Sequence, residues 1–199
     1  MNRALGAILA GLLLVSCRQE AQAPVAANAP RAEAPSFGNV VLGNMELPAE
    51  TAPAGLPALS GRVVDNANLL TPAQETTLSV RSEAMERQTG AQFVIVTVTS
   101  LGGRPIADYA TALGNQWGIG REGHNDGVLL LVAPNERQVR VAVGDGLMRA
   151  FADSEAQQII DRDMLPAFRE SRFFEGIDAG SRSIIARIER ATAGQGTRR

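Results

Sequence analysis

Four polar residues stand where strand-like runs of this chain begin or end: Asp65 in GRVVDNANLL, Asn125 and Asp126 in HNDGVLLLVA, and Asp145 in VRVAVGDGL. Carboxylates and amides are hard oxygen donors. Three loops supplying them suit Ca²⁺ or another divalent cation, with backbone carbonyls and water completing the shell. Beside glycine the same residue types are also turn formers, because Asp and Asn bond nearby backbone and Gly takes positive φ. A third use is catalytic. The acids would hold a metal for phosphomonoester hydrolysis, with Arg121, Arg149 or the metal supplying positive charge for the phosphoryl group. Composition and spacing leave the three uses open, and the choice depends on whether the fold brings these positions together.

Other chemistries are poorly supplied. The chain of 199 residues has one His and one Cys, His124 and Cys17, so no His/Cys zinc site can be assembled from them. No Gly-x-Ser-x-Gly elbow accompanies His124. All 19 basic residues are Arg, which excludes Schiff-base lysines and a P-loop lysine. They are scattered among 21 acids without a basic run or interleaved aromatics, so no nucleic-acid surface is expected. Asp161-Arg162-Asp163 starts like a calcium loop, but Met164-Leu165-Pro166 follows where oxygens and Gly are needed, and the segment reads as helix surface. The Gly-rich GNQWGIGREG follows a helix rather than joining strand to helix, so it is no phosphate cradle.

The elements that position the four polar residues can be read in order. A short strand ends at Asp65. Thr71-Pro72-Ala73-Gln74 then supplies a helix cap, a first-turn proline and a capping-box glutamine, and that helix runs to Gly90. AQFVIVTVTS is a β-branched run of strand length with polar flanks, a buried central strand. Ile106, Tyr109, Ala110, Leu113 and Trp117 recur at helical spacing, which places Trp117 in the core. GVLLLVA and QVRVAV form a hairpin. Asp153 is expected to cap a third helix, bent at Pro166, and Ile177, Ile184 and Ile188 mark a last one. The fold class is α/β, in the order β-α-β-α-β-β-α-α with helices covering a four-stranded sheet. In the hairpin Asn125, Asp126 and Asp145 converge at one end; Asp65 joins them if its strand ends at the same edge of the sheet.

Ahead of this domain, Asn2 and Arg3 precede an apolar run from Ala4 to Val15, of signal-peptide length and too short to span a bilayer. It closes in Leu14-Val15-Ser16-Cys17, which resembles the bacterial lipobox, in which the Cys becomes the lipidated first residue. Residues 1–16 are therefore expected to be a lipoprotein signal peptide. With Arg rather than Asp at position 18, the resemblance implies an outer-membrane address facing the periplasm. Residues 17–59 hold six of the ten prolines and read as an Ala/Pro-rich disordered tether. The domain is expected over 60–190 and a flexible tail over 191–199.

Taken in order, GRVVDNANLLTP, GAQFVIVTV, YATALGNQWGIG, HNDGVLLLVA, RQVRVAVGDGL and IIDRDMLPAFRESRFFEGIDAGSRSII resemble the TPM domain of bacterial envelope and plant thylakoid-lumen proteins. The resemblance covers about residues 60–190. It implies a three-layer α/β/α sandwich, export and work beside membranes. Some members of that family are credited with metal binding or weak phosphatase activity, others with the maintenance of membrane protein complexes. Acidic or amide residues usual in the family match Asp65 and Asn125-Asp126. The chain differs in reading Asn-Asp-Gly for the commoner Asp-Asn-Gly, and in having Met148 where an acid is usual, with Asp145 gained nearby. The expected function is thus a membrane-tethered binding or accessory module for a membrane protein complex, joined to the membrane by its N-terminal lipid. The alternative is a weak metal-assisted phosphatase.

Overall fold

The computed structural model describes residues 55–196. Cys17, the expected signal peptide and most of the expected tether lie outside the described residues. The sheet has four strands in the order β1 (Val63–Asp65), β2 (Gln92–Thr97), β3 (Gly127–Ala133) and β4 (Gln138–Val143). The first three are parallel, with Asp65 opposite Thr97 and Gln92 opposite Gly127; β4 returns antiparallel, with Val128 opposite Val143.

The helices α1 (Pro72–Thr89) and α2 (Ile106–Trp117) follow β1 and β2. The expected capping box opens α1: the Gln74 N–H donates to Thr71 Oγ1 at 3.4 Å, and the Thr71 N–H to Gln74 Oε1 at 2.8 Å. Gly90, at φ 75°, closes it in the left-handed conformation expected of a C-cap.

Alternation along the strands divides the core into two layers. Val63, Phe93, Ile95, Leu130 and Val141 face α1 and the C-terminal helices, while Val64, Val94, Val96, Leu129 and Leu131 face α2. The two parallel crossovers step the same way across the sheet, yet α1 and α2 cover opposite faces. They therefore have opposite hand, and one of them departs from the right-handed rule for such units.

Four helices follow the hairpin: α3 (Asp145–Met148), α4 (Asp153–Ile159), α5 (Leu165–Arg169) and α6 (Phe173–Gly196). Three details differ from the sequence reading. Asp153 is the first helical residue of α4 rather than its cap; Ala152 holds the cap position, its N–H donating to Glu155 Oε2 at 3.0 Å. Between α4 and α5 the chain does not simply bend at Pro166 but passes through a π-helical turn, Ile160–Met164, with the Leu165 N–H donating to the Ile160 carbonyl. Pro166 has no N–H to continue the α-helical ladder, and the wider turn accommodates that loss. Helix α6 continues to Gly196, so residues 191–196 of the expected tail are helical.

The expected domain start at 60 also moves. Residues 55–59 lie against α2: Tyr109 Oη donates to the Gly55 carbonyl at 3.2 Å, Trp117 Nε1 to the Pro57 carbonyl at 3.0 Å, and Leu56 packs on the α2-side core. A Tyr and a Trp buried by their rings still need partners for their polar tips, and this segment supplies them.

On the other face, α1 and α6 are joined by Asp178. It accepts from Arg81 at 2.5 Å and from Arg182 at 3.0 and 2.8 Å. Burial pushes its pKa up, but the bonds from Arg81 and Arg182 outweigh burial and hold it below the ordinary 3.8. A depressed carboxylate pKa gives stability that is complete above the ordinary value and is lost as pH falls through the folded-state value.

Two outcomes follow. A chain beginning at Ser60 should show red-shifted emission from Trp117, the sole tryptophan, and lose about 1–2 kcal/mol of urea stability, about 1 kcal/mol per hydrogen bond removed. Unchanged emission would mean that the segment does not cover Trp117. Asp178→Asn should cost about 1–2 kcal/mol at neutral pH and remove part of the acid-side slope of stability below pH 3.8, as read by urea titration across pH.

Candidate functional site

The Asn125–Asp126 and Gly144–Asp145 turns do meet, as the hairpin requires. The Gly144 N–H donates to the Gly127 carbonyl at 2.8 Å and the Gly146 N–H to the Asn125 carbonyl at 3.0 Å. The contact is backbone on backbone. A Cβ on Gly146 would stand 1.8 Å from the His124 carbonyl oxygen, and one on Gly144 would stand 2.2 Å from that of Asn125. Glycine is required at both positions by this approach. Asn125 adopts φ 48°, a left-handed conformation that Asn tolerates better than most residues.

Asp126 is 4 % exposed, and its carboxylate is bonded to Arg121 of the loop that follows α2. The Arg121 N–H donates to Oδ1 at 2.8 Å, while its guanidinium donates to Oδ2 from Nε at 2.7 Å and from Nη2 at 2.5 Å. One residue thus engages both carboxylate oxygens. The guanidinium lies over Gly90, where a Cβ would meet it at 2.6 Å, so the cap of α1 also makes room for this pair. The neighbouring groups continue the network: the Gly120 N–H donates to Gln92 Oε1 at 2.7 Å, and Arg62 donates to Glu86 at 2.6 and 2.9 Å.

Asp65 is not part of this corner. It ends β1 opposite Thr97, whereas the Asp126 turn precedes β3 at the level of Gln92. At about 3.3 Å rise per residue the two ends of β2 are about 17 Å apart. The condition on which Asp65 would join Asn125, Asp126 and Asp145 fails because β1 and β3 are parallel and the two acids flank opposite ends. Asp65 instead fastens the β1–α1 loop: Oδ1 accepts from the Leu69 N–H at 3.1 Å and from the Thr97 hydroxyl, and Oδ2 accepts from the Leu70 N–H at 2.8 Å. Thr97 Oγ1 in turn accepts from the Ala67 N–H at 2.9 Å. Carboxyl ends of strands whose helices diverge to opposite faces commonly frame a ligand crevice. Here the polar groups at that point are committed to the loop itself.

Asp145 and His124 are exposed; His124 Nδ1 lies 3.1 Å from the Glu122 carbonyl oxygen. Arg149, considered above as a source of charge, is exposed just beyond α3. Among the described residues no three His, Cys, Asp or Glu side chains are grouped so as to hold a metal ion. The four expected ligands do not fit one cation: Asp65 is at the far end, and Asp126 would have to exchange Arg121 for the ion.

Sequence reasoning did not find the Arg121–Asp126 pair, although both residues were singled out for other roles. The usable signal was weak: an Arg just after Gly118 and Gly120, five positions before an Asp.

A mixed four-stranded sheet with α2 on one face and α1, α4 and α6 on the other defines an α/β protein with a short antiparallel edge. The TPM domain family model matches residues 63–187, and the chain belongs to that family. The N-terminal domain of a protein from P. gingivalis, solved by solution NMR, is similar at 33 % identity and a TM-score of 0.62 over 67 % of this chain and 86 % of that one. The N-terminal domain of the cg2496 protein from Corynebacterium glutamicum, also an NMR structure, matches at 15 % identity and a TM-score of 0.46, over 74 % of this chain and 89 % of that one. None of the curated proteins matches this chain.

If Arg121 serves to satisfy a buried carboxylate, Arg121→Ala should destabilise the domain by about 1–3 kcal/mol, the cost of leaving a buried charged acceptor short of partners. Adding Asp126→Asn should recover part of that loss, because a neutral side chain no longer needs the guanidinium. Additive losses in a double-mutant cycle, read by urea unfolding, would show the two to be independent.

Proposed function

We propose that this chain is a bacterial envelope lipoprotein, held on the periplasmic face of the outer membrane by a lipid on Cys17. Its TPM domain serves as a binding or accessory module for a membrane protein complex. The address rests on the apolar run and Leu14-Val15-Ser16-Cys17 at the N-terminus. Among the described residues no helix is long and apolar enough to cross a membrane, which leaves attachment to the N-terminal segment in this reading.

The observation that carries the choice of module over hydrolase is the occupation of the carboxylates. A metal-assisted phosphatase needs acids free to hold a metal or activate water, and a cation free to meet the phosphoryl group. Asp126 and Arg121 are bonded to each other, and Asp65 is bonded to backbone amides and Thr97. These groups act as fasteners of the two sheet ends. Of the four expected ligands, a divalent cation such as Ca²⁺ would find only the side chains of Asp145 and Asn125 not already engaged at the corner. The turn use of the Asp-Gly steps is therefore favoured over the cation use.

The test is made on purified full chain, alone and with millimolar Ca²⁺, Mg²⁺ or Mn²⁺, with phosphomonoester turnover and thermal melting read together. The expected result is no turnover that depends on Asp126 and a melting curve that the ions do not raise. Turnover lost in Asp126→Asn, with the fold intact, would overturn the module in favour of the hydrolase. A Ca²⁺-dependent rise in melting that disappears in Asp145→Asn would restore the cation site. Cell fractionation with lipid labelling covers the address: label should be lost in Cys17→Ser, and unlabelled, fully soluble wild type would defeat it.

A further inference from the structure

A cavity of about 490 Å³ opens between the β3–β4 turn and the α5–α6 connection, on the α6 side of the sheet. That size lies within the range of about 300–1,000 Å³ typical of small-molecule sites. Its apolar walls come from both sides: Val139 from β4, and Leu165, Phe168 and Phe173 from α5 and the start of α6. The two phenylalanine rings sit 5.5 Å apart at 46°, an aromatic pair within the lining.

The charged groups in the lining are Arg137 and Arg169, without any Asp or Glu. Among the described residues both are exposed and neither takes part in an ion pair, whereas nine other arginines of the domain meet acids. Arg137 is held at φ 55° by the hairpin turn, its N–H donating to the Pro134 carbonyl at 3.1 Å. This differs from the other arginine-rich cleft, between α4 and α6, where Arg162, Arg182 and Arg187 already pair with Asp163, Asp178 and Glu155.

We infer that this cavity binds a small organic anion that joins a phosphate or carboxylate head to an apolar body. The body packs on the phenylalanine-lined wall and the head meets Arg137 and Arg169. Guanidinium groups offer planar, forked donors suited to such heads, and their cations can also lie on aromatic faces. The site is independent of the Asp126 corner and of Cys17, so it stands or falls apart from the function proposed above. A soluble anion and the head of an anionic lipid present the same chemistry, and the experiment separates the two sources.

Amide resonances of the isotope-labelled full chain are followed by NMR as phenyl phosphate, inorganic phosphate or phenol is added. In parallel arms, vesicles of phosphatidylglycerol or of phosphatidylcholine are added. Phenyl phosphate is expected to shift Arg137, Gln138 and Phe173 in a saturable manner and to bind at least about tenfold more tightly than either half alone. The Arg137→Gln, Arg169→Gln double variant should lose about tenfold or more in affinity, matching the loss of one or more charge-assisted hydrogen bonds at about 1.5–3 kcal/mol each. Both residues are exposed and unpaired, so an otherwise unchanged spectrum is expected of that variant. The same Arg-dependent shifts with phosphatidylglycerol vesicles alone would support the site and assign its source to lipid. Phenyl phosphate binding that survives the double variant would overturn the proposal. So would shifts mapping to Arg162, Arg182 and Arg187, or none in either the phenyl phosphate or the phosphatidylglycerol arm.

Discussion

Strand β3 is buried at every one of its residues, from Gly127 to Ala133, between a parallel and an antiparallel neighbour and under helices on both faces. A strand with no solvated side has no polar outlet along its length, so its requirements fall on its two ends. Before it, the chain must turn from the loop after α2 into the sheet; after it, the chain must reverse into β4. Both transitions carry a carboxylate that accepts backbone amides. Asp126 accepts from Arg121 before β3, and Glu136 accepts from the Leu101 N–H at 2.8 Å and the Ser100 hydroxyl at 3.0 Å after it. The Leu101 amide above all, then the Ser100 hydroxyl, holds Glu136 below the usual carboxylate range. In this way the β3–β4 turn is fastened to the β2–α2 loop, and the α2 layer is tied to both ends of the strand it covers.

The elements were legible because each rests on local signals that agree with its packing. Thr71-Pro72-Ala73-Gln74 forms the expected capping box, Gly90 caps the helix, the valines of β4 alternate, and Trp117 is buried where helical spacing put it. The four-stranded sheet under helices followed from that order, and the resemblance to the TPM domain implied its α/β/α layering. Long-range geometry was less legible. Whether Asp65 and Asp126 share an edge depends on whether β1 and β3 run parallel, and neither residue's neighbours encode that. The partner of Asp126 was hidden for a related reason: a turn sequence specifies its backbone, but the side chain is bonded by Arg121 of the loop after α2. The π-helical turn before Pro166 was partly announced by the proline, whose missing donor the sequence shows; whether the chain answers by bending or by widening is settled by packing against α6.

The carboxylates and the arginines of this domain have separate uses, and that division bears on what the TPM domain offers here. Acids at the sheet ends face inward to amides, a hydroxyl or a guanidinium, because turns around a buried strand leave donors that need acceptors. Once they are committed, the acid-rich words in the sequence describe construction more than chemistry. The arginines have no such demand placed on them by the backbone. Some close ion pairs between helices, as Arg81 does with Asp178. Arg137 and Arg169 instead stand beside phenylalanines in the lining of a concave surface that no acid lines. Desolvating a carboxylate requires a partner at the moment of folding, whereas an arginine can keep its head in water while its stem covers apolar surface. At the concave surface between the β3–β4 turn and α5 the groups offered for recognition are therefore cationic, although the sequence advertises acids.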